Sequence, residues 1–326
     1  MEPRKTRLGI LGAGTMAATH AVAYAAMADV EVVGVSARDV GKAAAVAGAC
    51  NATPAADACA LIADAGLDAI DICLPSAIHP QFVIAALERG KHVFCETPMA
   101  LTLDEATAMR DAARKAGRLL QVGLLMRSIG AYRHLKAAVA AGTHGRLLSL
   151  STWRLGSYLR PGAPDHKAHY GDPTTELMTF DFDVANWLMG RPARLAASGN
   201  GEISALLSYA DGCSATVVAS GLMPAGAPFR VGFRALFEQA VLELETVFEE
   251  GPPRNTFTIA SGGSASRPVP LPPLNPYEVE LRHFIDCVRG EADPALLDAE
   301  HAIAALVLSL ATQRALATGK QVDLGA

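Results

Sequence analysis

The sequence lacks a cluster of basic residues. Its 28 Lys and Arg residues are outnumbered by 33 Asp and Glu residues, which gives a net charge of −5. A nucleic-acid-binding surface shows a basic patch or stripe, and an anionic membrane attracts basic segments. The chain is therefore predicted to bind neither nucleic acid nor a membrane.

Long apolar runs and patterned cysteines are also missing. The apolar runs are short and interrupted, and Met1-Glu-Pro-Arg-Lys5 leads into a predicted strand rather than into the apolar region of a signal peptide. The six cysteines form no C-x-x-C pair and no cluster with histidine, which favours reduced, mostly buried thiols over disulfides or zinc. We expect a cytoplasmic protein without a metal. The cysteines are Cys50, Cys59, Cys73, Cys95, Cys213 and Cys287.

The length and the apolar content set the expected size of the core. A chain of 326 residues is long for one domain, and 51% of its residues are hydrophobic while 19% are charged. Chains of this length usually divide into two domains. The sequence therefore predicts two domains with a large buried core.

The first predicted strand and turn carry the clearest motif. An apolar run from Arg7 to Leu11 meets a Gly-x-Gly-x-x-Ala turn and then an alanine-rich helical pattern, in the order of a dinucleotide-binding βαβ unit. In such a unit Gly12 allows the tight turn, Gly14 lets the backbone approach a pyrophosphate, and Ala17 lets the helix pack closely. An ordinary strand, turn and helix is the alternative. The predicted cofactor contacts here are Gly12, Gly14, Thr15, Met16 and Ala17.

The end of the second predicted strand, residues 30–36, bears on the choice of cofactor. NAD sites usually place an acidic residue at this strand tip, whereas a nearby Arg accommodates the 2′-phosphate of NADP. The tip here reads Ser36-Ala37-Arg38, with Asp39 one residue further on. Because a guanidinium makes charge-assisted bonds to phosphate, the sequence favours NADP, with NAD as the alternative.

Strands and helices alternate through the first part of the chain. This alternation predicts a parallel sheet that is covered on both faces and ends near Gly123. Ligands of such sheets lie beyond the carboxyl ends of the strands, so Leu74-Pro75-Ser76 and Glu96-Thr97-Pro98 are predicted to border the cofactor. The predicted helices are 41–49, 57–64, 75–87 and 103–116, and the further strands are 69–74, 91–95 and 119–123.

The second part of the chain reads as strands broken by Gly, Pro and Asp. Several of them alternate apolar with polar residues, as in an antiparallel sheet with one covered face. The other face is then available for a homo-oligomer, a dimer or a tetramer. Residues 251–273 are rich in Pro, Gly and Ser and are predicted to form a loop. The predicted strands are 147–153, 204–209, 213–219, 229–234 and 240–245, followed by helices 277–289 and 298–318.

Taken together, these motifs resemble the Gfo/Idh/MocA oxidoreductase family. The resemblance implies an N-terminal Rossmann domain, residues 1–123, and an α+β domain, residues 124–326, for substrate binding and oligomerisation. The second domain holds a large, mostly antiparallel sheet, and nicotinamide lies between the domains. The segments that carry the resemblance are Gly12–Ala17 with His20, residues 74–79, residues 90–102, Gln121-Val-Gly123 with Arg127, residues 141–149, residues 180–190 and residues 277–324.

The sequence departs from the family at the positions expected to carry chemistry. Family members that oxidise sugars or polyols commonly use the Lys of an E-K-P motif, with an Asp and a His four residues apart on a helix of the second domain. This chain has Thr97 in place of that Lys, and Glu176 and Phe180 in place of the Asp and His. The usual cation and the usual imidazole are therefore both replaced.

Other side chains are candidates for the acid–base role. Asp172 is a good N-cap with Pro173 at the first helical position, and helical spacing puts Glu176, Thr179, Phe180, Asp183 and Trp187 on one face, with Asp181 pointing elsewhere. The alternative for Glu176 and Asp183 is a structural ion pair with Arg127 or Arg154. His166 and His169 have metal-ligand spacing but no evident third ligand. The predicted catalytic residues are Thr97, Glu176, Asp183 and Tyr170, the predicted substrate contacts are Arg127, His169 and Phe180, and the remaining predicted cofactor contacts are His79, Glu96, Thr97 and Arg127.

The sequence thus predicts an oxidoreductase that transfers a hydride between NADP and a small carbonyl, hydroxyl or conjugated substrate. The replacement of the family Lys makes a sugar or polyol dehydrogenase of the usual mechanism less favoured. The alternative is a sensor or regulator that keeps the cofactor pocket and has lost the chemistry.

Overall fold

The computed structural model describes residues 4–160 and 171–325. It divides into two compact units, Met1–Ser128 with Leu274–Ile303, and Ile129–Pro273 with Ala304–Ala326. The first unit thus includes a late stretch of the chain in addition to the residues predicted for the Rossmann domain. The domain boundary at residue 123 stays a prediction.

The first unit contains a parallel sheet of the doubly wound type. The strand order is β3-β2-β1-β4-β5-β6, and every pair is parallel. The order reverses between β1 and β4, so the carboxyl ends beside these two strands form the crevice where such sheets bind ligands. The strands are β1 Thr6–Leu11, β2 Val30–Ser36, β3 Thr53–Ala55, β4 Ala69–Ile72, β5 His92–Cys95 and β6 Leu120–Val122. The helices are α1 Thr15–Ala25, α2 Val40–Ala49, α3 Ala58–Ala63, α4 His79–Glu88 and α5 Leu103–Ala116, with short 3-10 turns at Ser76–Ile78 and Leu125–Ser128.

Burial of this sheet on both faces explains its sequence. All four residues of β4 are buried, and five of the six residues of β1 are buried. Strands covered on both faces read as apolar runs rather than as alternating patterns. Asp71, inside β4, is a fully buried exception. A carboxylate in such a position requires polar partners.

The second unit contains a large, mostly antiparallel sheet. Its order is β14-β13-β12-β11-β7-β10-β9-β8-β15, and the β7–β10 pair is parallel. Burial alternates along β9, as expected for a sheet with one covered face. The helices are α6 Gly130–Ala141, α7 Pro173–Glu176 and α8 Met178–Met189, and the strands are β7 Leu147–Leu155, β8 Arg194–Gly199, β9 Ile203–Ser208, β10 Ser214–Ser220, β11 Phe229–Phe237, β12 Ala240–Phe248, β13 Arg254–Ser261, β14 Arg267–Pro268 and β15 Val322–Asp323.

Two helices follow the sheet strands in the chain. They are α9 Pro276–Val288 and α10 Ala299–Thr318, with a 3-10 turn at Pro294–Leu297 between them. Helix α9 belongs to the first unit, and α10 begins in the first unit and continues into the second. None of the helices within residues 4–160 and 171–325 has both the length and the apolar character that a membrane span needs.

Two expectations about local structure were wrong. The predicted loop 251–273 contains β13 and β14, because the alternating segment Asn255-Thr-Phe-Thr-Ile259 pairs with β12 although Pro and Gly flank it. The helix that begins at Pro173 is not continuous, because it breaks at Leu177 and restarts at Met178. Helical spacing therefore does not show that Glu176 and Asp183, on either side of the break, share one face.

Candidate functional site

The carboxyl edge of the parallel sheet brings together most of the residues predicted to contact the cofactor. The turn after β1, the tip of β2, and the segments after β4 and β5 all start at this edge. Parallel pairing makes this convergence unavoidable, since all carboxyl ends lie on one side. The residues concerned are Gly12 to Ala17, Ser36 to Arg38, Leu74 to Ser76, and Glu96 with Thr97.

Gly12 is required by the fold itself. Its φ is +122°, a region that side chains rarely adopt, and an added Cβ would lie 2.2 Å from the Cys73 carbonyl oxygen. The Gly12 N–H also donates to the Ser36 carbonyl oxygen at 2.8 Å. Gly12 therefore lets the β1 turn pass directly against the end of β4.

Gly14 differs from Gly12 because no contact among the described residues requires a glycine there. Its φ is −85°, and among the described residues outside this local segment no heavy atom lies within 4 Å of the place where a Cβ would be. Gly14 is the exposed N-cap of α1, and no side chain caps this helix end. Free N–H groups and the helix dipole form an anion site at such an end. The open space and the uncapped N–H groups fit the pyrophosphate of a dinucleotide.

Three residues after Gly14 form the first turn of α1. Thr15 is exposed, Met16 is half-buried, and Ala17 is fully buried. The small Ala17 side chain allows α1 to approach the sheet closely, as the motif requires. Thr15 and Met16 therefore stay accessible at the predicted pyrophosphate position, while Ala17 packs inside.

The residues at the tip of β2 differ in exposure and in their hydrogen-bond partners. Ser36 is buried and Ala37 is half-buried, whereas Arg38 is exposed. The Asp39 carboxylate caps α2, with Oδ1 accepting the Lys42 N–H at 3.0 Å. Within the described part of the chain, no carboxylate pairs with Arg38. The guanidinium at this tip is therefore available while the neighbouring carboxylate serves the helix.

His79 joins two of the predicted cofactor segments. Its side chain is 1% exposed, Nε2 lies 2.7 Å from the Leu74 carbonyl oxygen, and Nδ1 lies 3.0 Å from the Pro98 carbonyl oxygen. Burial lowers the pKa of His79. The ring thus connects the segment after β4 with the segment after β5, while Pro75 and Ser76 remain half-buried at the crevice.

Glu96 and Thr97 are both held in place by contacts at the end of β5. Glu96 Oε2 accepts the Thr97 N–H at 3.2 Å, and the Thr97 hydroxyl donates to the Gly123 carbonyl oxygen at 2.8 Å. An added Cβ on Gly123 would lie 3.2 Å from the Glu96 carboxylate. Thr97 therefore ties the end of β5 to the end of β6, and its hydroxyl keeps only lone pairs for a ligand.

A buried charged network lies directly behind Glu96. His20, on α1, has Nδ1 2.8 Å from Asp71 Oδ2 and Nε2 2.9 Å from Glu96 Oε1. The Nε2–H is not aligned on Glu96 as a hydrogen bond, so this second contact is an ion pair by distance. The side chains of His20 and Asp71 are fully buried, and that of Glu96 is 13% exposed. One imidazole thus bridges carboxylates from two neighbouring strands.

The charge state of this network follows from its partners. Burial lowers the pKa of His20, but Cys73 and Asp71 raise it by more, and the net pKa lies well above its usual value. Burial also raises the pKa of the Cys73 thiol far above its ordinary range. The thiol is then neutral at neutral pH, and the carboxylates beside the ring are Asp71, 2.8 Å from Nδ1, and Glu96, 2.9 Å from Nε2.

His20, Asp71 and Cys73 also meet the distance requirement of a metal site, with donor atoms within 4.8 Å of one another. They already bond to one another, since Cys73 Sγ lies 3.3 Å from His20 Nδ1 and 3.4 Å from Asp71 Oδ1. A protonated thiol is a poor metal ligand. We interpret the group as a hydrogen-bonded network. The sequence analysis did not identify this network, although Asp71, a charged residue within the buried strand β4, was the available signal.

Arg127 lies in the 3-10 turn after β6. Its side chain is 2% exposed, and Nη1 donates to the Leu296 carbonyl oxygen at 2.8 Å. Arg127 and Leu296 both belong to the first unit. The guanidinium thus joins the turn after β6 to the 3-10 turn before α10, and its predicted contacts with cofactor and substrate remain predictions.

The candidates of the second unit lie on α7 and α8. Asp172 caps α7 by accepting the Thr174 N–H at 2.8 Å, which confirms the predicted helix start. Glu176 and Asp183 are both buried, at 7% and 1% exposure. Three other candidates, His166, His169 and Tyr170, lie outside the described residues.

Arg154 binds an unexpected carboxylate. Its Nε donates to Asp181 Oδ2 at 3.1 Å, and its guanidinium lies 4.6 Å from the centre of the Phe180 ring. Burial lowers the pKa of Arg154, but Asp181 raises it by more, and burial raises the pKa of Asp181. The sequence analysis considered Glu176 and Asp183 as partners of Arg154 and placed Asp181 on another face. In the structure Asp181 accepts a hydrogen bond from Arg154, and Phe180 packs against the same guanidinium; pairing of Glu176 or Asp183 with Arg154 stays a prediction.

Comparison with known proteins agrees with this architecture. Residues 6–124 match the model described as an oxidoreductase family with an NAD-binding Rossmann fold, and residues 132–243 match the GFO/IDH/MocA C-terminal domain. The chain belongs to the Gfo/Idh/MocA family. It is an NAD(P)-dependent oxidoreductase.

Individual relatives are similar over most of their length. The chain is 28% identical to 1,5-anhydro-D-fructose reductase of Ensifer adhaerens, over 81% of this chain and 82% of that protein. It is 26% identical to scyllo-inositol 2-dehydrogenase (NAD(+)) of Bacillus subtilis, over 81% of this chain and 80% of that protein. The structure of a myo-inositol dehydrogenase from Corynebacterium glutamicum has a TM-score of 0.81 at 21% identity, covering 99% of this chain and 99% of that one. This last likeness concerns the fold.

Proposed function

We propose that the protein is an NADP-preferring oxidoreductase. The observation that carries this proposal is the tip of β2, where Arg38 is exposed while the Asp39 carboxylate caps α2. A guanidinium makes charge-assisted, often bidentate bonds to phosphate, whereas a carboxylate at this tip favours the ribose hydroxyl of NAD. When bound, NADP supplies the hydride acceptor, and NADPH the hydride donor, of the reaction. Gly12, Gly14 and the first turn of α1 would hold the pyrophosphate.

We propose a small polyhydroxylated compound, or the carbonyl compound derived from it, as the substrate. The relatives named above act on 1,5-anhydro-D-fructose and on scyllo-inositol, which supports this class. A small carbonyl, hydroxyl or conjugated compound fits the same reaction type. One relative carries NAD(+) in its name, so cofactor choice is the part of this proposal that most needs measurement.

The proton transfer is assigned to carboxylates rather than to Thr97. The Thr97 hydroxyl donates its hydrogen to Gly123, so its oxygen is left to accept a hydrogen bond and to orient a substrate hydroxyl. A carboxyl group exchanges protons near neutral pH far more readily than an alcohol does. Glu176 and Asp183 are therefore the proposed acid–base groups, with Tyr170 as a further candidate.

The proposed substrate contacts are Arg127, His169 and Phe180.

The proposed oligomer, a dimer or tetramer, uses the exposed face of the second unit's sheet. The alternation of buried and exposed residues along β9 supports this proposal, since it leaves one face of the sheet uncovered. Light scattering after size exclusion measures this state directly, and a monomer at micromolar concentration would contradict it.

A substrate panel tests the proposed function. Inositols, 1,5-anhydro-D-fructose, simple aldehydes and conjugated aldehydes are offered with each of the four nicotinamide cofactors, and turnover is followed by the absorbance of reduced nicotinamide. We expect turnover with NADP or NADPH on at least one polyhydroxylated compound or its ketone. Tight cofactor binding with no turnover on any compound would instead support the alternative, a sensor or regulatory protein.

A further inference from the structure

The starting point is the pair of carboxylates on either side of His20. Asp71 approaches one ring nitrogen at 2.8 Å and Glu96 approaches the other at 2.9 Å, in a place where His20 and Asp71 are fully buried. A neutral imidazole carries one N–H and would direct a lone pair at one of the two anions. A doubly protonated ring donates Nδ1–H to Asp71 and places its positive charge 2.9 Å from Glu96. Without a cation between them, the fully buried Asp71 and the half-buried Glu96 would repel each other.

The other groups around His20 leave this charge balance unchanged. Tyr24 on the same helix and Tyr277 on α9 present aromatic rings, with centroids 6.5 and 6.3 Å away. Phe94 of β5 packs edge-on at 5.7 Å. Burial, with the nearby Asp71 carboxylate, raises the pKa of Tyr24, so its hydroxyl is neutral at neutral pH. The Cys73 thiol is neutral as well. The anions that face the ring are therefore Asp71 and Glu96.

Glu96 connects this buried ring to the crevice. Its Oε1 lies by His20 while its Oε2 accepts the Thr97 N–H, so one carboxylate links the ring to the segment that follows β5. Rotation of Glu96 would break both contacts together. Glu96 is therefore the residue through which His20 is connected to this segment.

We propose that His20 is a positioning residue, which stays an imidazolium between Asp71 and Glu96 and thereby fixes Glu96 and the Thr97 backbone at the cofactor crevice. This inference rests on the proposed placement of the cofactor at the carboxyl edge. It does not depend on whether NADP or NAD is preferred. A His whose pKa is raised by folding stabilises the structure below its unfolded pKa, and this stabilisation is lost as the pH rises through the folded pKa. Cofactor affinity is therefore expected to fall as the pH rises through the folded pKa of His20.

The first test measures the protonation of the His20 ring directly. The protein is labelled with ¹⁵N-histidine, and the ring nitrogens are followed by NMR as the pH is raised, without any cofactor. The His20 signal is identified as the one that disappears in His20→Gln, or, if that variant does not fold, as the one that moves in Asp71→Asn and Glu96→Gln but not in His134→Gln. Two protonated ring nitrogens at pH 7 support the proposal. An unprotonated ring nitrogen at that pH overturns it.

The second test measures how the affinity for the cofactor depends on pH. The dissociation constant of whichever of NADPH and NADH binds more tightly is measured by fluorescence across the same pH range. In Asp71→Asn the pH at which affinity falls is expected to move down by about 1 to 3 pH units, because one opposite charge is lost. His20→Gln is expected to weaken binding by about 2- to 30-fold below the pH at which the wild-type affinity falls, and to approach the wild type above it. His134→Gln, on the second unit, should match the wild type.

The outcomes separate this inference from the proposed function. A preference for NADH would contradict the NADP proposal and leave both His20 tests intact. Equal pH profiles for the wild type and Asp71→Asn would overturn the positioning role whatever cofactor is bound.

Discussion

Substitution of the two turn glycines by alanine separates what the fold needs from what the cofactor needs. Gly12→Ala puts a Cβ 2.2 Å from the Cys73 carbonyl oxygen at a φ of +122°. The backbone strain costs about 1–3 kcal/mol, and the displacement of a packed strand end costs about 1–3 kcal/mol more. The free energy of unfolding should therefore fall by about 2–6 kcal/mol, a large share of a typical total of about 5–15 kcal/mol.

Gly14→Ala is the matched control, since it adds the same methyl group two residues away. That methyl group meets no described residue beyond its own local segment within 4 Å and the φ is −85°, so the loss of stability should stay below about 1 kcal/mol. The same methyl group would occupy the space proposed for the pyrophosphate. We therefore expect a dissociation constant for NADPH that is higher by about tenfold or more, equivalent to about 1.4 kcal/mol.

Both effects are measured on the same samples. Urea unfolding followed by circular dichroism gives the free energy of unfolding, and fluorescence titration gives the affinity for NADPH. If Gly14→Ala is as unstable as Gly12→Ala, the account of the turn is wrong. If Gly14→Ala binds the cofactor as tightly as the wild type, the proposed pyrophosphate position is wrong.

Three further predictions concern other contacts of the site. Asp181→Asn removes the carboxylate that accepts from the buried Arg154 Nε and should lower the free energy of unfolding by about 3–5 kcal/mol, measured in urea; a loss below about 1 kcal/mol would contradict the buried pair. Thr97→Val removes the hydrogen bond to Gly123 and should cost about 1 kcal/mol of stability, measured in the same way; unchanged stability would show that this bond does not hold the strand ends. Glu176→Gln and Asp183→Asn should each lower kcat by about 100-fold or more if they transfer the proton, whereas Glu202→Gln, an exposed carboxylate of the same unit, should not; wild-type rates in both would refute the assignment.

Local signals predicted the elements whose ends are set by neighbouring residues. The helix Leu103–Ala116 was predicted with these bounds because its signals are adjacent in the chain. Thr102 caps it by accepting the Glu105 N–H, and Gly117 ends it in the left-handed conformation. The glycine turn after β1 was found for the same reason. Such features depend on a few consecutive residues, which the sequence displays directly.

Contacts between distant strands were beyond these local signals. His20, Asp71 and Glu96 meet because β4 lies between β1 and β5, an order that the alternation of strands and helices does not specify. Arg154 meets Asp181 because α8 packs against β7, which helix periodicity does not reveal. Strand β13 was missed because the Pro and Gly residues around it favour a loop, while its pairing with β12 outweighs them. Tertiary pairing decides such segments.

The comparison of NADPH with NADH binding tests the proposed function most directly. Dissociation constants for both are measured for the wild type and for Arg38→Gln under one set of conditions. Because a charge-assisted hydrogen bond contributes about 1.5–3 kcal/mol, the wild type should bind NADPH more tightly by about 10- to 150-fold, and the variant should bind the two nearly equally. Tighter binding of NADH by the wild type, or an NADPH preference that survives in Arg38→Gln, would contradict the role proposed for Arg38.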